Sequence, residues 1–143
     1  MKTLVIVLMT LVLVPFVTAQ TEQFPQEKKS AIVDNLNVGI NSSNIGLRTS
    51  SADVLFDLIE DDYLQSDDAS KSMIPLLNML ENGKTDDERI AAAVALYQIG
   101  NGIGIYRLRG VAIFDDNERV STICKNLYYS YHKLHGTEYL INF

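Results

Sequence analysis

Between residues 27 and 134 the apolar positions recur at helical spacing, in six stretches separated by turn residues, and nowhere alternate as strands do. Ala31, Ile32, Leu36 and Ile40 mark a first amphipathic helix that ends near Gly39, with Pro25 just before or at its opening turn. Residues 41–46 are turn chemistry, Asn and Ser side chains that bond locally to the backbone. A second helix runs from about Leu47 to Glu60, with Leu47, Ser51, Ala52, Leu55, Phe56, Leu58 and Ile59 on its packed side. Residues 61–70 are acidic and polar and predict a solvated loop. The third helix, Ser72 to Glu81, places Met73, Ile74, Leu76, Leu77 and Leu80 as its apolar set. It accommodates Pro75 because the missing N–H falls in the first turn, where it has no partner to lose. Asn82-Gly83 stops that helix, and Thr85 or Asp86 caps a fourth from Asp87 to Ile99. Gly100-Asn101-Gly102 ends the fourth; a fifth runs from about Ile103 to Phe114, and Asp115-Asp116-Asn117 leads into a sixth, Glu118 to Leu134. The prediction is an all-α domain of three helical hairpins.

Inside this pattern lies an internal repeat. Residues 88–100 read Glu-Arg-Ile-Ala-Ala-Ala-Val-Ala-Leu-Tyr-Gln-Ile-Gly, and weaker copies begin around Arg48 and Arg119. With Arg48, Arg89 and Arg119 as origins, position four on is Ala52, Ala93 and Ile123; seven on is Leu55, Leu96 and Asn126; eight on is Phe56, Tyr97 and Leu127; ten on is Leu58, Ile99 and Tyr129. Offsets four, seven and eight share one helix face, so small residues early in the helix admit a neighbouring backbone and large ones later fill the hairpin. The chain resembles the HEAT-repeat family in its short bacterial form, most clearly in the middle unit: Pro75, Leu76, Leu77, then Asp87, Arg89, Ala92, Ala93, Leu96, Ile99 and Gly100. The resemblance covers about residues 27–134. It implies a short α-solenoid whose second helices line one face, and a polar ladder between units drawn from Asp87, Arg89, Asp116 and Arg119. Lys125 and Asn126 depart from the pattern, as suits a terminal unit whose outer side meets water.

Ahead of the helices stands a different kind of segment. Met1-Lys2 is a short basic start, Thr3 to Val17 is almost wholly apolar, and Val17-Thr18-Ala19 ends in small residues. That is the grammar of a signal peptide over residues 1–19, with a flexible leader at 20–26 and a short tail at 135–143. About fifteen apolar residues interrupted by Pro15 fall short of the roughly 20 that span a bilayer. The expectation is an exported, periplasmic or secreted protein with no stable membrane insertion after cleavage. Cys124 is the only cysteine, so no internal disulfide can form. The formal charge of −6 disfavours nucleic acid, whose phosphates a net negative surface repels.

The candidate chemistry is sparse. Asp53 and Asp57 share a face at i, i+4, but no nucleophile accompanies them, and a solvated helix face is the plainer reading. His132 and His135 with Cys124 give metal-ligand types at poor spacing; histidines near a helix C-terminus complement its dipole. The acidic stretch 61–68 lacks the alternating ligands and central Gly of a calcium loop. Tyr128, Tyr129, Tyr131 and Tyr139 cluster late in the chain, where Tyr129 is expected to pack inward while Tyr128 and Tyr131 cover the last hairpin. No catalytic residue, cofactor or metal is assigned. The function expected is a non-enzymatic scaffold that binds a protein or peptide on its second helices, with Asp53, Asp57, Val94, Gln98, Cys124 and Tyr128 as contact residues. Two alternatives stand beside it. Short repeats of this kind also resemble those of phycobilin lyases, which would imply a lyase or lyase partner handling a tetrapyrrole, although an export signal points away from that chemistry. A structural envelope component linked through Cys124 is the other.

Overall fold

The computed structural model describes residues 24–137. Within them the chain forms α1 (Gln26–Ile40), α2 (Ile45–Glu60), a 3-10 turn (Asp68–Ser72), α3 (Met73–Asn82), α4 (Asp86–Ile99), α5 (Gly102–Phe114) and α6 (Glu118–Leu134). Described residues contain no strand, and the all-α expectation holds. The expected signal peptide, most of the leader and residues 138–143 lie outside the described residues. None of the described helices is long and apolar enough to cross a membrane.

Local chemistry starts and stops these helices. Asn44, Thr85, Asn101 and Asn117 each use a side-chain oxygen to accept a backbone N–H from the first turn of α2, α4, α5 and α6. Each such cap satisfies a donor that the helix itself cannot. Gly100 closes α4 in the left-handed region, φ 67°, which costs glycine nothing and other residues a steric clash. The proline of α3 sits in its first turn, as the sequence requires.

Consecutive helices pack in pairs, α1 on α2, α3 on α4 and α5 on α6. The second helix of each pair also packs on the next, α2 on α4 and α4 on α6, while α1, α3 and α5 touch one another only lightly. Helix α4 is therefore surrounded, and its Ala91, Ala92, Ala93 and Ala95 are all buried. Methyl side chains let four neighbours approach one axis. Around them Leu55, Leu76, Leu80, Leu96 and Leu108 lose all solvent exposure, each worth about 1.5–3 kcal/mol against an exposed side chain.

The structure differs from the sequence reading in five places. On α1 the buried set is Lys29, Val33, Gly39 and Ile40, while Ala31 points to solvent. Lys29 goes inward because Asp68 meets it: its Nζ lies 3.4 Å from Oδ2, and Gln26 Nε2 donates to Oδ1 at 2.6 Å. That pairing also reshapes the acidic loop, which buries Leu64 and Ala69 and winds into the 3-10 turn where open coil was expected. Leu47 and Ile74, assigned to packed faces, are half exposed and 80% exposed. Tyr128 is buried and Tyr129 is partly exposed, the reverse of the expected arrangement. Along α6 the buried stripe is Val120, Cys124 and Tyr128, turned by roughly a third of a turn from the stripe on α2. The cause is position: among the described residues α6 packs chiefly on α5 and α4, so its core face points toward those two helices.

Candidate functional site

Two features organise the molecule, one at each end of α2, α4 and α6. At the N-terminal ends, charged side chains link neighbouring helices. Arg48 Nε donates to Glu88 Oε1 at 2.5 Å, and its Nη1 donates to the Ser42 carbonyl at 2.7 Å. Glu88 is 1% exposed, and its second oxygen accepts the Lys84 N–H at 2.9 Å. Burial alone would raise this carboxyl, but the Arg48 and Lys84 hydrogen bonds outweigh it and hold the group below its ordinary range. Arg89 forms a bidentate pair with Asp115 and donates from Nε to the Leu80 carbonyl at 2.7 Å. Arg119 Nη1 lies 2.8 Å from Asp87 Oδ1, at an exposed position, and Asn117 Nδ2 donates to Asp86 at 2.7 Å.

These ties place the starts of α2, α4 and α6 at one end of the molecule, so the three helices run parallel. Asp87, Arg89 and Arg119 each take part in one of these charged pairs. Asp116 does not: it is exposed, and Asp115 takes the place beside Arg89. Asp115 directly follows α5 and accepts the Asn117 N–H at 3.0 Å, which turns its carboxylate back toward α4. The Arg48–Glu88 pair has no counterpart in the sequence reading; an acid and a base forty positions apart obey no spacing rule.

The proposed contact residues divide. Asp53 and Asp57 are exposed on α2, and Val94 and Gln98 are half-buried on α4 at the same offsets from Arg89 as the aspartates from Arg48. Burial, with the Asp57 charge adding to it, raises the Asp53 carboxyl above its usual value. Cys124 and Tyr128 are removed from the surface. Cys124 has no exposure, and burial pushes its thiol up to about 12, with Arg89 pulling weakly the other way. A buried protonated thiol neither contacts a partner nor links two folded chains. The histidines behave as a polar helix end: His132 Nδ1 lies 2.7 Å from Thr137 Oγ1, and the His135 ring stacks on Tyr131 at 4.1 Å. Among the described residues no three ligand-type side chains converge on a metal position.

At the opposite end, a groove of about 460 Å³ opens between the C-terminal turns of α4 and α6 and the loop before the 3-10 turn. Helix α4 supplies Tyr97, Gln98 and the Gly100-Asn101 exit; α6 supplies Tyr131, Leu134 and its C-cap His135; the loop supplies Ser66 and Asp67, and the 3-10 turn Ser70. Tyr131 Oη donates to the Gly100 carbonyl at 3.2 Å and fixes the floor. Of the expected contact residues only Gln98 lines it. The sequence signal for the groove was the tyrosine-rich last turn of α6; the loop wall carried no signal, because its fold depends on the Lys29–Asp68 tether.

The groove combines apolar side chains, Ile99 and Leu134, with the polar side chains of Ser66, Asp67, Ser70, Gln98, Asn101 and His135. Comparison with known proteins returned no match to any family model, curated protein or solved structure.

Proposed function

We propose that this chain is an exported, non-enzymatic interaction module, a short HEAT-like α-solenoid of three hairpins that binds a protein or peptide. The observation that carries the reading is the set of parallel second helices held in register by Arg48–Glu88, Arg89–Asp115 and Arg119–Asp87. Helices fixed in this way present side chains at set spacing without ordering on contact, which lowers the entropic cost of binding. The presented side chains are acidic on α2, at Asp53 and Asp57, and mixed on α4, at Val94 and Gln98. Polar and apolar positions side by side on a rigid frame suit recognition of a polypeptide. Export by an N-terminal signal is part of the same proposal.

The test is affinity capture with the tagged full chain from envelope and medium fractions of its host, against an Asp53→Lys/Asp57→Lys variant. Both positions are exposed, so the substitutions spare the core; Tyr128, being buried, cannot serve as a probe. A partner recovered by the parent chain and lost with the variant supports a binding face on the second helices. Recovery by both moves the contact off α2. Recovery by neither overturns the proposal.

A further inference from the structure

The charges at the groove end are unbalanced in a way that those at the ladder end are not. Helices α2, α4 and α6 run parallel, so their C-terminal carbonyls and partial negative charges gather here. The last turns of α2 and α4 contain no basic residue, and only α6 answers with His132 and Lys133. Glu60, Asp61, Asp62 and Asp67 add carboxylates at the same end, and all four are exposed. Asp68, beside them, is already neutralised by Lys29. In the groove itself no lysine or arginine lines the wall. The Asp67 carboxylate and the Gln98 amide face no protein partner among the described residues. Tyr97 and Tyr131 provide aromatic surface beside these acceptors.

We propose that this groove receives a basic side chain, arginine foremost, from the polypeptide partner of the module. A guanidinium is planar and carries five donors, so it can lie against a tyrosine ring while donating to a carboxylate, an amide oxygen and helix-end carbonyls. The acceptors present are of that kind: Asp67 on the loop, Gln98 on α4 and the carbonyls around the Gly100 cap. A volume of about 460 Å³ exceeds what one arginine side chain needs and leaves room for the flanking main chain. The inference rests on the interaction-module reading and specifies the chemistry of its partner.

The experiment is a nuclear magnetic resonance titration of the isotopically labelled full chain with N-acetyl-arginine methylamide, against the citrulline analogue, which keeps the shape and loses the charge. The expected result is saturable shifts at the amides of Tyr97–Asn101 and Tyr131–His135 with the arginine compound, at least several-fold weaker with citrulline, and reduced several-fold again in Asp67→Asn. High salt should weaken binding strongly. Equal shifts from both compounds, shifts centred on Asp53 and Asp57, or no response to Asp67→Asn would overturn the proposal. The two readings fail separately: if capture of a partner is lost in Asp53→Lys/Asp57→Lys yet kept in Asp67→Asn, the module reading stands and the groove assignment falls.

Discussion

Replacing Asp115 by asparagine tests whether the links between neighbouring helices contribute stability or merely decorate the surface. Asp115 and Arg89 retain 13% and 14% of their side-chain exposure, so water screens the pair only in part. Arg89 also cannot follow a lost partner into solvent without giving up the Leu80 carbonyl, 2.7 Å from its Nε. Hydrogen bonds to charged groups contribute about 1.5–3 kcal/mol, and breaking a fully buried pair costs about 3–5 kcal/mol. A largely buried bidentate pair belongs near 2–3 kcal/mol at neutral pH. Asparagine keeps an oxygen for the Asn117 N–H, which isolates the charge from the cap. The assay is urea unfolding followed by circular dichroism, with Arg89→Met and the double variant completing a cycle; the equivalent fall in Tm is roughly 8–12 °C. The pH dependence supplies an internal check. The Arg89 hydrogen bond, against partial burial and with help from the Asn117 N–H, holds the Asp115 carboxyl below its ordinary value. A depressed carboxylate contributes its stability above the unfolded pKa, about 3.9, and loses it as pH falls through the folded value. The gap between parent and variant must therefore narrow below about pH 4. A loss under about 0.5 kcal/mol, typical of exposed pairs, or a gap that ignores acid, would refute the reasoning.

Three further outcomes follow from the same structure. Gly39→Ala puts a methyl 2.0 Å from Ser51 Oγ and should cost about 1–3 kcal/mol, recovered in large part by Ser51→Gly; Gly104→Ala meets the mobile end of Met73 at 3.2 Å and Leu96 Cδ2 at 3.4 Å and should be neutral or gain up to about 1 kcal/mol of helix propensity, both read by thermal melts. Cys124, buried and protonated at neutral pH, should resist iodoacetamide in the native chain and react readily in urea; fast native alkylation would contradict its placement. Asp53→Asn should raise Tm at neutral pH, because a carboxyl whose folded pKa is raised resists ionisation in the folded state, and the gain should fade as pH falls through the carboxylate range.

What the amino-acid order made legible was whatever depends on neighbours along the chain. Asn and Thr caps, the tolerated Pro75 and the Gly100 stop are local, and the helices began and ended close to those marks. What it obscured was which side of a helix meets a partner. On α1 the apolar spacing pointed to Ala31, whereas Val33 and Lys29 are inside, because Asp68, distant in sequence, offers the lysine a counter-charge. On α6 the repeat frame suggested that Cys124 and Tyr128 faced outward; the helix instead turns its apolar side toward α5 and α4, on which it chiefly packs. Glu88 illustrates the same limit. It has the composition of a first-turn acid that complements the dipole, and it is buried where Arg48 and the Lys84 N–H meet its two oxygens. The groove escaped for a compound reason, since one wall is a loop shaped by a tertiary ion pair.

The uneven placement of the links has a mechanical consequence. Between α2, α4 and α6, three charged pairs clamp one end, while among the described residues the Tyr131 hydroxyl bridges α4 and α6 at the other. Such an object behaves as a clothes-peg, stiff at the hinge and compliant at the jaws. Low-energy openings should spread the C-terminal turns first, so their amides should exchange with solvent ahead of those at the clamp. Loosening the hinge, by salt or by removing a charge, would alter the gap at the jaws without touching a residue that lines it.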